Sequence, residues 1–197
     1  MAKITYTTKV DNQVSELPSI NKVTAADMNE IKTSVNELYD ERVGWARYDD
    51  TQYTSAAPYS ITGETPFTVS NNAGNVINDE IHSAVAFYND STQKIQAEGE
   101  NDVYILTFAF KAKISNANGF LDIFMEGGNG TPYDRVHQTV VFPKGNDVEH
   151  IFAINLPYYA DSDVITNGLS LKVKSSHNGE IYDVIYFIQC TQKHKDL

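Results

Sequence analysis

The chain has 197 residues, with 26 acidic against 15 basic side chains and a net charge of −11. That balance, with no run of Lys and Arg anywhere, excludes nucleic-acid binding through a basic face and disfavours an anionic membrane surface. Cys190 is the only cysteine, so no intrachain disulfide forms and stability must come from packing or from burial between subunits. The length suits one core of good size plus a helical appendage, and no apolar stretch reaches the length of a membrane span.

Residues 1–22 show no helical period. In KITYTTKV, Ile4, Tyr6 and Thr8 alternate with Thr5, Thr7 and Lys9 as in one extended strand, which Leu17-Pro18-Ser19 then interrupts. One strand is not stable alone, so this segment is expected either to fray or to add itself to another protein's surface. It lacks the charged region followed by an apolar block that a secretory signal needs, so synthesis in a cytoplasm is expected.

Residues 23–44 carry the most regular pattern. Met28, Ile31, Val35, Leu38, Arg42 and Trp45 recur at spacings of 3, 4, 3, 4 and 3, the seam of a short coiled coil. Thr24 with Asp27 reads as an acidic capping box, Val23 can staple onto Met28, and Gly44 offers a stop. About three heptads is short for an autonomous coiled coil. No other segment has a matching apolar period, so the expected partner of the seam is another copy of the chain.

From Trp45 to residue 197 the signals are β. Strands are predicted at 45–48, 58–62, 66–70, 84–89, 93–98, 103–115, 119–126, 136–143, 148–157, 168–175 and 180–191. In VYILTFAFKAKI, Tyr104, Leu106, Phe108, Phe110, Ala112 and Ile114 share one face, and in VEHIFAINL so do Val148, His150, Phe152, Ile154 and Leu156. In EIYDVIYFIQC, Tyr182, Val184, Tyr186, Ile188 and Cys190 alternate with Ile181, Asp183, Ile185, Phe187 and Gln189. Both faces there carry apolar groups, as expected for a central strand also covered by a neighbouring subunit. NNAGN, SNANG, GGNGTP, PKGND, TNG and HNGE supply turns. About eight main strands at this spacing, with no further helix, predict an antiparallel two-sheet sandwich: a jelly roll first, an immunoglobulin-like sandwich second.

The sequence offers no catalytic constellation. It has no G-x-S-x-G, P-loop, dinucleotide fingerprint or H-E-x-x-H, and His82, His137, His150, His177 and His194 stand singly. Asp161, Asp163 and Asn167 loosely resemble a calcium loop but lack its sixth-position Gly and terminal Glu, so a solvated turn is expected. Asn89-Asp90-Ser91 matches a glycosylation pattern that carries no information without a secretion signal. The expectation is a non-enzyme without cofactor or metal. Two segments mix aromatic rings with amide and carboxylate groups, as sugar sites on rigid scaffolds do. They are GGNGTPYDR, with Asn129, Tyr133, Asp134 and Arg135, and LPYYADSD, with Tyr158, Tyr159, Asp161 and Asp163. The same tyrosines also suit a subunit boundary or the closed end of a sandwich.

LPSINKVTAADMNEIKTSVNEL resembles the neck segment near the start of many tailed-bacteriophage fibre proteins. The G-W-x-R-Y-x-D-x-x-Y-T-S run, with Trp45, Tyr48, Asp50 and Tyr53, resembles the entry into the C-terminal β-domain of phage head-fibre and tail-fibre trimers. So does PKGNDVEHIFAINLPYYADSDVITNGLSLKVKSSHNGEIYDVIYF, through Gly145, Asn146, Val148, Glu149, His150, Tyr159, Asn167 and Gly168. The resemblance implies a homotrimer in the virion with an N-terminal anchor over residues 1–22, a trimeric coiled coil over 23–44 and a jelly-roll head over 45–197, similar to tumour-necrosis-factor-like domains. Met28, Ile31, Val35, Leu38 and Trp45 would face the trimer axis. The chain has no repetitive shaft, which favours a stubby head fibre on the capsid. Its expected role is weak attachment to host-surface or other glycans, strengthened by multivalency. Rival readings are a tail or baseplate receptor-binding protein of the same build and a capsid-stabilising decoration protein that binds nothing.

Overall fold

The computed structural model describes residues 25–40, 43–78, 86–127, 134–143 and 147–194, without the side chains of 37–40, 134 and 135. The chain divides into two compact units, Met1–Arg42 and Val43–Leu197. The first contains helix α1, Ala25–Asp40, whose opening turn carries Asp27, a charge that complements the helix dipole. The strand read over residues 3–10, the cap and staple at Thr24 and Val23, and Arg42 lie outside the described residues. On α1 the seam positions Ile31 and Val35 are 53% and 40% exposed, and Met28 is half-buried.

Trp45 corrects the seam. It opens strand β1, Trp45–Asp49, and its ring stacks on Phe187 at 5.6 Å. Past Gly44 a period of two replaces the helical one, because Ala46 and Tyr48 gain burial in the sandwich only as a strand.

The second unit is two antiparallel sheets. The remaining strands are β2 Tyr59–Ile61, β3 Phe67–Thr68, β4 Asn75–Asn78, β5 Tyr88–Asn89, β6 Lys94–Ile95, β7 Val103–Ile114, β8 Phe120–Gly127, β9 Asp134–Val141, β10 His150–Tyr159, β11 Leu169–Ser175 and β12 Gly179–Gln192, with helix α2 at Ser162–Asn167. Sheet 1 runs β10-β7-β12-β1-β4 with β2 also on β12, and sheet 2 runs β5-β6-β11-β8-β9 with β3 also on β11. The pairing is nested: β1 with β12, β6 with β11, β7 with β10, and β8 with β9, all antiparallel. Such nesting is what an eight-strand hairpin gives when it is rolled across two sheets.

The core lies between the sheets. Tyr104, Leu106, Phe108, Phe110, Ala112 and Ile114 of β7 all point into it, as their alternation predicts. They meet Leu121, Ile123 and Met125 of β8 and Leu169, Leu171 and Val173 of β11. The predicted face of β12 breaks at one point. A bulge between Tyr182 and Ile185, with Asp183 at φ 52, inserts an extra residue, so Ile181 and Val184 both reach the core. Tyr182, expected on the core face, pairs with Lys111 and turns outward, because one inserted residue exchanges the two faces of a strand.

Two elements differ from the expected turns. β4 follows the NNAGN stretch and pairs with β1. α2 occupies the run read as a solvated turn: Asp161 Oδ1 accepts from Val164 N at 3.0 Å, and Val164 is buried. Gly168 ends it at φ 65, with the Ile95 carbonyl 2.8 Å from where a Cβ would stand, so only glycine fits. The entry to β4 is pinned by polar contacts. Asn71 Nδ2 donates to the Tyr48 carbonyl at 2.9 Å. Buried Asp50 accepts from Asn72 N at 2.9 Å and Tyr53 N at 2.8 Å.

Burial pushes the phenol groups of Tyr48, Tyr88, Tyr104, Tyr158 and Tyr186 above their ordinary value. The folded chain therefore keeps protons that the unfolded chain releases near pH ~10. This stabilisation is complete below that pH and is lost as pH rises above it. Urea unfolding is expected to show a lower midpoint at about pH 11 than at about pH 8, with tyrosinate absorbance appearing together with unfolding.

Candidate interaction faces

The outward face of sheet 1 carries a half-buried apolar group, Trp45, Ile105, Ile185 and Phe187, among polar side chains. Ile77, Arg47, Phe187, Thr107 and Asn155 stand in one register row across five strands. Trp45, Gln189, Ile105 and Pro157 form the next row, and Asp49, Ile185, Ala109 and Ala153 lie on the other side. The charges on this face are closed into pairs: Arg47 Nε with Asp49 Oδ1 at 2.6 Å and Lys111 Nζ with Asp183 Oδ2 at 3.0 Å. Near the bulge, Tyr182 is wholly buried. Its hydroxyl donates to Glu149, and Lys113 Nζ lies 5.6 Å from its ring centre. Burial, with the Glu149 carboxylate second, pushes this phenol up to about 12.

The outward face of sheet 2 is of the opposite kind. Lys172, Phe124 and His137 share a row, beside Lys174, Asp122 and Thr139. Lys172 pairs with Glu126, and Lys174 with Glu64 at 2.8 Å. Asp122 accepts from Thr139 Oγ1 at 2.6 Å, and Lys94 Nζ donates to Ser170 Oγ at 2.7 Å. Exposed pairs of this sort contribute little stability but keep a face wet.

The ligand residues read from sequence do not converge. Asn129 and Tyr133 lie outside the described residues. Asp134 and Arg135 begin β9, at the edge of sheet 2. Tyr158 cannot meet a sugar. It is buried, stacked on Tyr104 at 5.3 Å, because β10 alternates and its even-numbered residues point inward. Tyr159 is 56% exposed on the outward face of sheet 1, paired with Val103. Asp161 caps α2. His177 bridges Ser176 Oγ at 2.9 Å and Asn116 at 3.0 Å, but that serine also accepts from Phe120 N at 2.9 Å, so the trio pins a turn. Among the described residues no cluster of His, Cys, Asp and Glu is placed to hold a metal, and Cys190 is a buried thiol. The sequence reading names Ile185 and Phe187 on this face but misses Ile77 and Ile105. The two-sided apolar pattern of β12 is the signal that points to Ile185 and Phe187.

No family model matches the sequence, and no curated protein matches it. Solved structures similar in fold include the Eiger tumour necrosis factor of S. frugiperda, 7% identical, with a TM-score of 0.49 over 79% of this chain and 96% of that one. The PRD1 vertex protein P5 is 14% identical, with a TM-score of 0.41 over 77% and 96%. A carbohydrate-binding module of Cellvibrio mixtus lichenase 5A, in complex with cellotriose, is 14% identical, with a TM-score of 0.31 over 76% and 97%.

Tyr158→Ala is expected to cost roughly 3–5 kcal/mol by emptying core volume. Thermal denaturation of this variant checks the assignment. An unchanged melting temperature would return Tyr158 to the surface.

Proposed function

We propose that the chain is a structural component of a bacteriophage virion: a homotrimeric head fibre whose sandwich is a jelly-roll, tumour-necrosis-factor-like head. In this reading residues 1–22 attach it to the capsid, α1 forms a trimeric coiled coil, and the head faces the host surface or its glycans. The nested strand pairing supports a jelly roll over an immunoglobulin-like sandwich. The observation that carries the self-association is the half-buried apolar group on the outward face of sheet 1, set against the charged outward face of sheet 2. The exposed seam residues Ile31 and Val35 of α1 support it independently. The phage assignment and the trimeric count rest on the sequence resemblance, because a heptad seam alone does not separate three strands from two. No catalytic step, metal or cofactor enters the proposal.

The non-binding decoration reading also has an observation in its favour. Tyr158 is buried and Tyr159 lies on the opposite sheet from β9, so the two predicted ligand segments do not make one sugar site. Binding of the purified protein to a glycan array is the outcome the fibre reading expects, and silence on the array would favour decoration.

Immunogold labelling of intact particles tests the location. Label over the capsid fits a head fibre, and label confined to the tail would replace it with a tail fibre. Ile31→Asp with Leu38→Asp is expected to weaken the assembly seen by light scattering while far-ultraviolet circular dichroism keeps the β signal. A wild-type chain that scatters as a monomer would defeat the oligomeric reading. Removing residues 1–22 is expected to leave an assembled protein that no longer enters particles.

A further inference from the structure

We infer that the head meets its ligand at the end of the sandwich opposite the chain's entry, on the β7–β8 and β11–β12 turns, and that this ligand is an uncharged saccharide. The inference rests on the glycan-attachment reading and names its site and its class of sugar.

Strand direction separates the two ends. The chain enters the sandwich at Val43, and the Gly44 carbonyl accepts from Cys190 N at 2.9 Å. Here β1 begins with Trp45 opposite Gln189, and β12 stops at Gln192 opposite Val103 of β7. β10 also ends here, with Tyr159 opposite Val103. β8 returns from the far end, so Glu126 and its partner Asp134 of β9 lie at the entry end too. Asp134 and Tyr159, one from each sugar segment read from sequence, therefore sit at the end that faces the virion in the fibre reading. The far end holds Ile114 opposite Gly179, Phe120 opposite Val141, and Leu121 opposite Ser175.

At the far end the two turns lock together and keep polar groups in reserve. Ser115 N donates to the Asn178 carbonyl at 2.9 Å, and Ser176 N to the Phe120 carbonyl at 3.0 Å. Asn116 Nδ2 can only donate, so His177 Nε2 accepts from it at 3.0 Å. His177 Nδ1 then donates to Ser176 Oγ at 2.9 Å, and that oxygen also accepts from Phe120 N at 2.9 Å. The Ser176 O–H is left without an acceptor among the described residues, and the amide of exposed Asn118 is likewise unused there. Donors and acceptors held side by side match sugar hydroxyls, each of which does both. Phe120, 36% exposed, adds a ring on the strand that leaves the turn, for the apolar face of a sugar. No Lys, Arg, Asp or Glu occurs in residues 115–119 or 176–178. On a chain of −11, turns without a cation offer nothing to a carboxylate sugar.

The test passes the full chain over immobilised neutral oligosaccharides of glucose, galactose, mannose and N-acetylhexosamines, with sialylated and uronate-containing ones alongside. Two far-end variants are used. Asn118→Gly removes the amide and suits the residue's φ of 61, and Phe120→Thr removes the ring but keeps a strand former. Each is expected to weaken binding to the neutral sugars by about tenfold or more, with melting temperature and light scattering unchanged. Tyr159→Ala, at the entry end, is expected to bind as the wild type does. Loss of binding in Tyr159→Ala with both far-end variants intact would overturn the inference. So would a wild-type chain that holds only the anionic sugars. A wild-type chain that binds no saccharide at all would instead sink the glycan-attachment reading, and the site with it.

Discussion

The pairing of β7 with β12 holds the sandwich together. It runs from Gly179 opposite Ile114 to Gln192 opposite Val103. The same two strands carry β10, β1 and β2 on their free sides. Its register decides which residues of both strands form the core, since a slip of one residue would exchange the two faces. Gly179 seats one end: a Cβ there would collide with the Lys113 carbonyl. At the other end buried Asp102 accepts from His194 N at 2.7 Å, and its backbone carbonyl accepts from Ala160 N at 2.9 Å. That gathers the starts and ends of three strands at one place.

The bulge in β12 links this framework to the surface. Without it Tyr182 would enter the core and Ile181 would face out. With it, Tyr182 roofs the outward side under Glu149 and Lys113. Asp183 meanwhile reaches Lys111, and its N–H reaches the Tyr53 carbonyl at 2.9 Å. One end of the outward face is thus polar and internally paired, and the rest stays apolar around Phe187 and Trp45. Bulges re-aim side chains where a sheet meets something else. Here the something else is proposed to be a second copy.

The core also explains why so many tyrosines are tolerated inside. Tyr186 donates to the Val69 carbonyl at 2.8 Å, Tyr88 to the Asn71 carbonyl at 2.9 Å, and Tyr104 accepts from Glu98 N at 3.0 Å. Each ring fills volume between the sheets while its hydroxyl satisfies a backbone group at the rim. These bonds tie the loops that enter β4 and β7 to the sandwich. The chain reaches a stapled periphery with no disulfide.

Local pattern alone was enough for the β class, a helix spanning residues 25–40, most strand positions and the inward faces of β7 and β10. Those properties follow from local alternation, and burial rewards alternation directly. The pattern of β12 also signalled apolar groups on both sides of one sheet. Three matters depended on long-range pairing. Trp45 left the helical seam because pairing with β12 offered its strand more burial than a last helical turn. Tyr182 changed face because a bulge, invisible to a strict period of two, inserted Asp183. Tyr158 and Tyr159 parted company because adjacent residues of a strand point to opposite sides, so a segment that reads as one aromatic cluster contributes one ring to the core and one to the surface. The neighbours that Ile185 and Phe187 meet on that outward face, Ile105, Trp45 and Ile77 among them, lay beyond the sequence, since they come from strands far apart in the chain that the sheet register brings together.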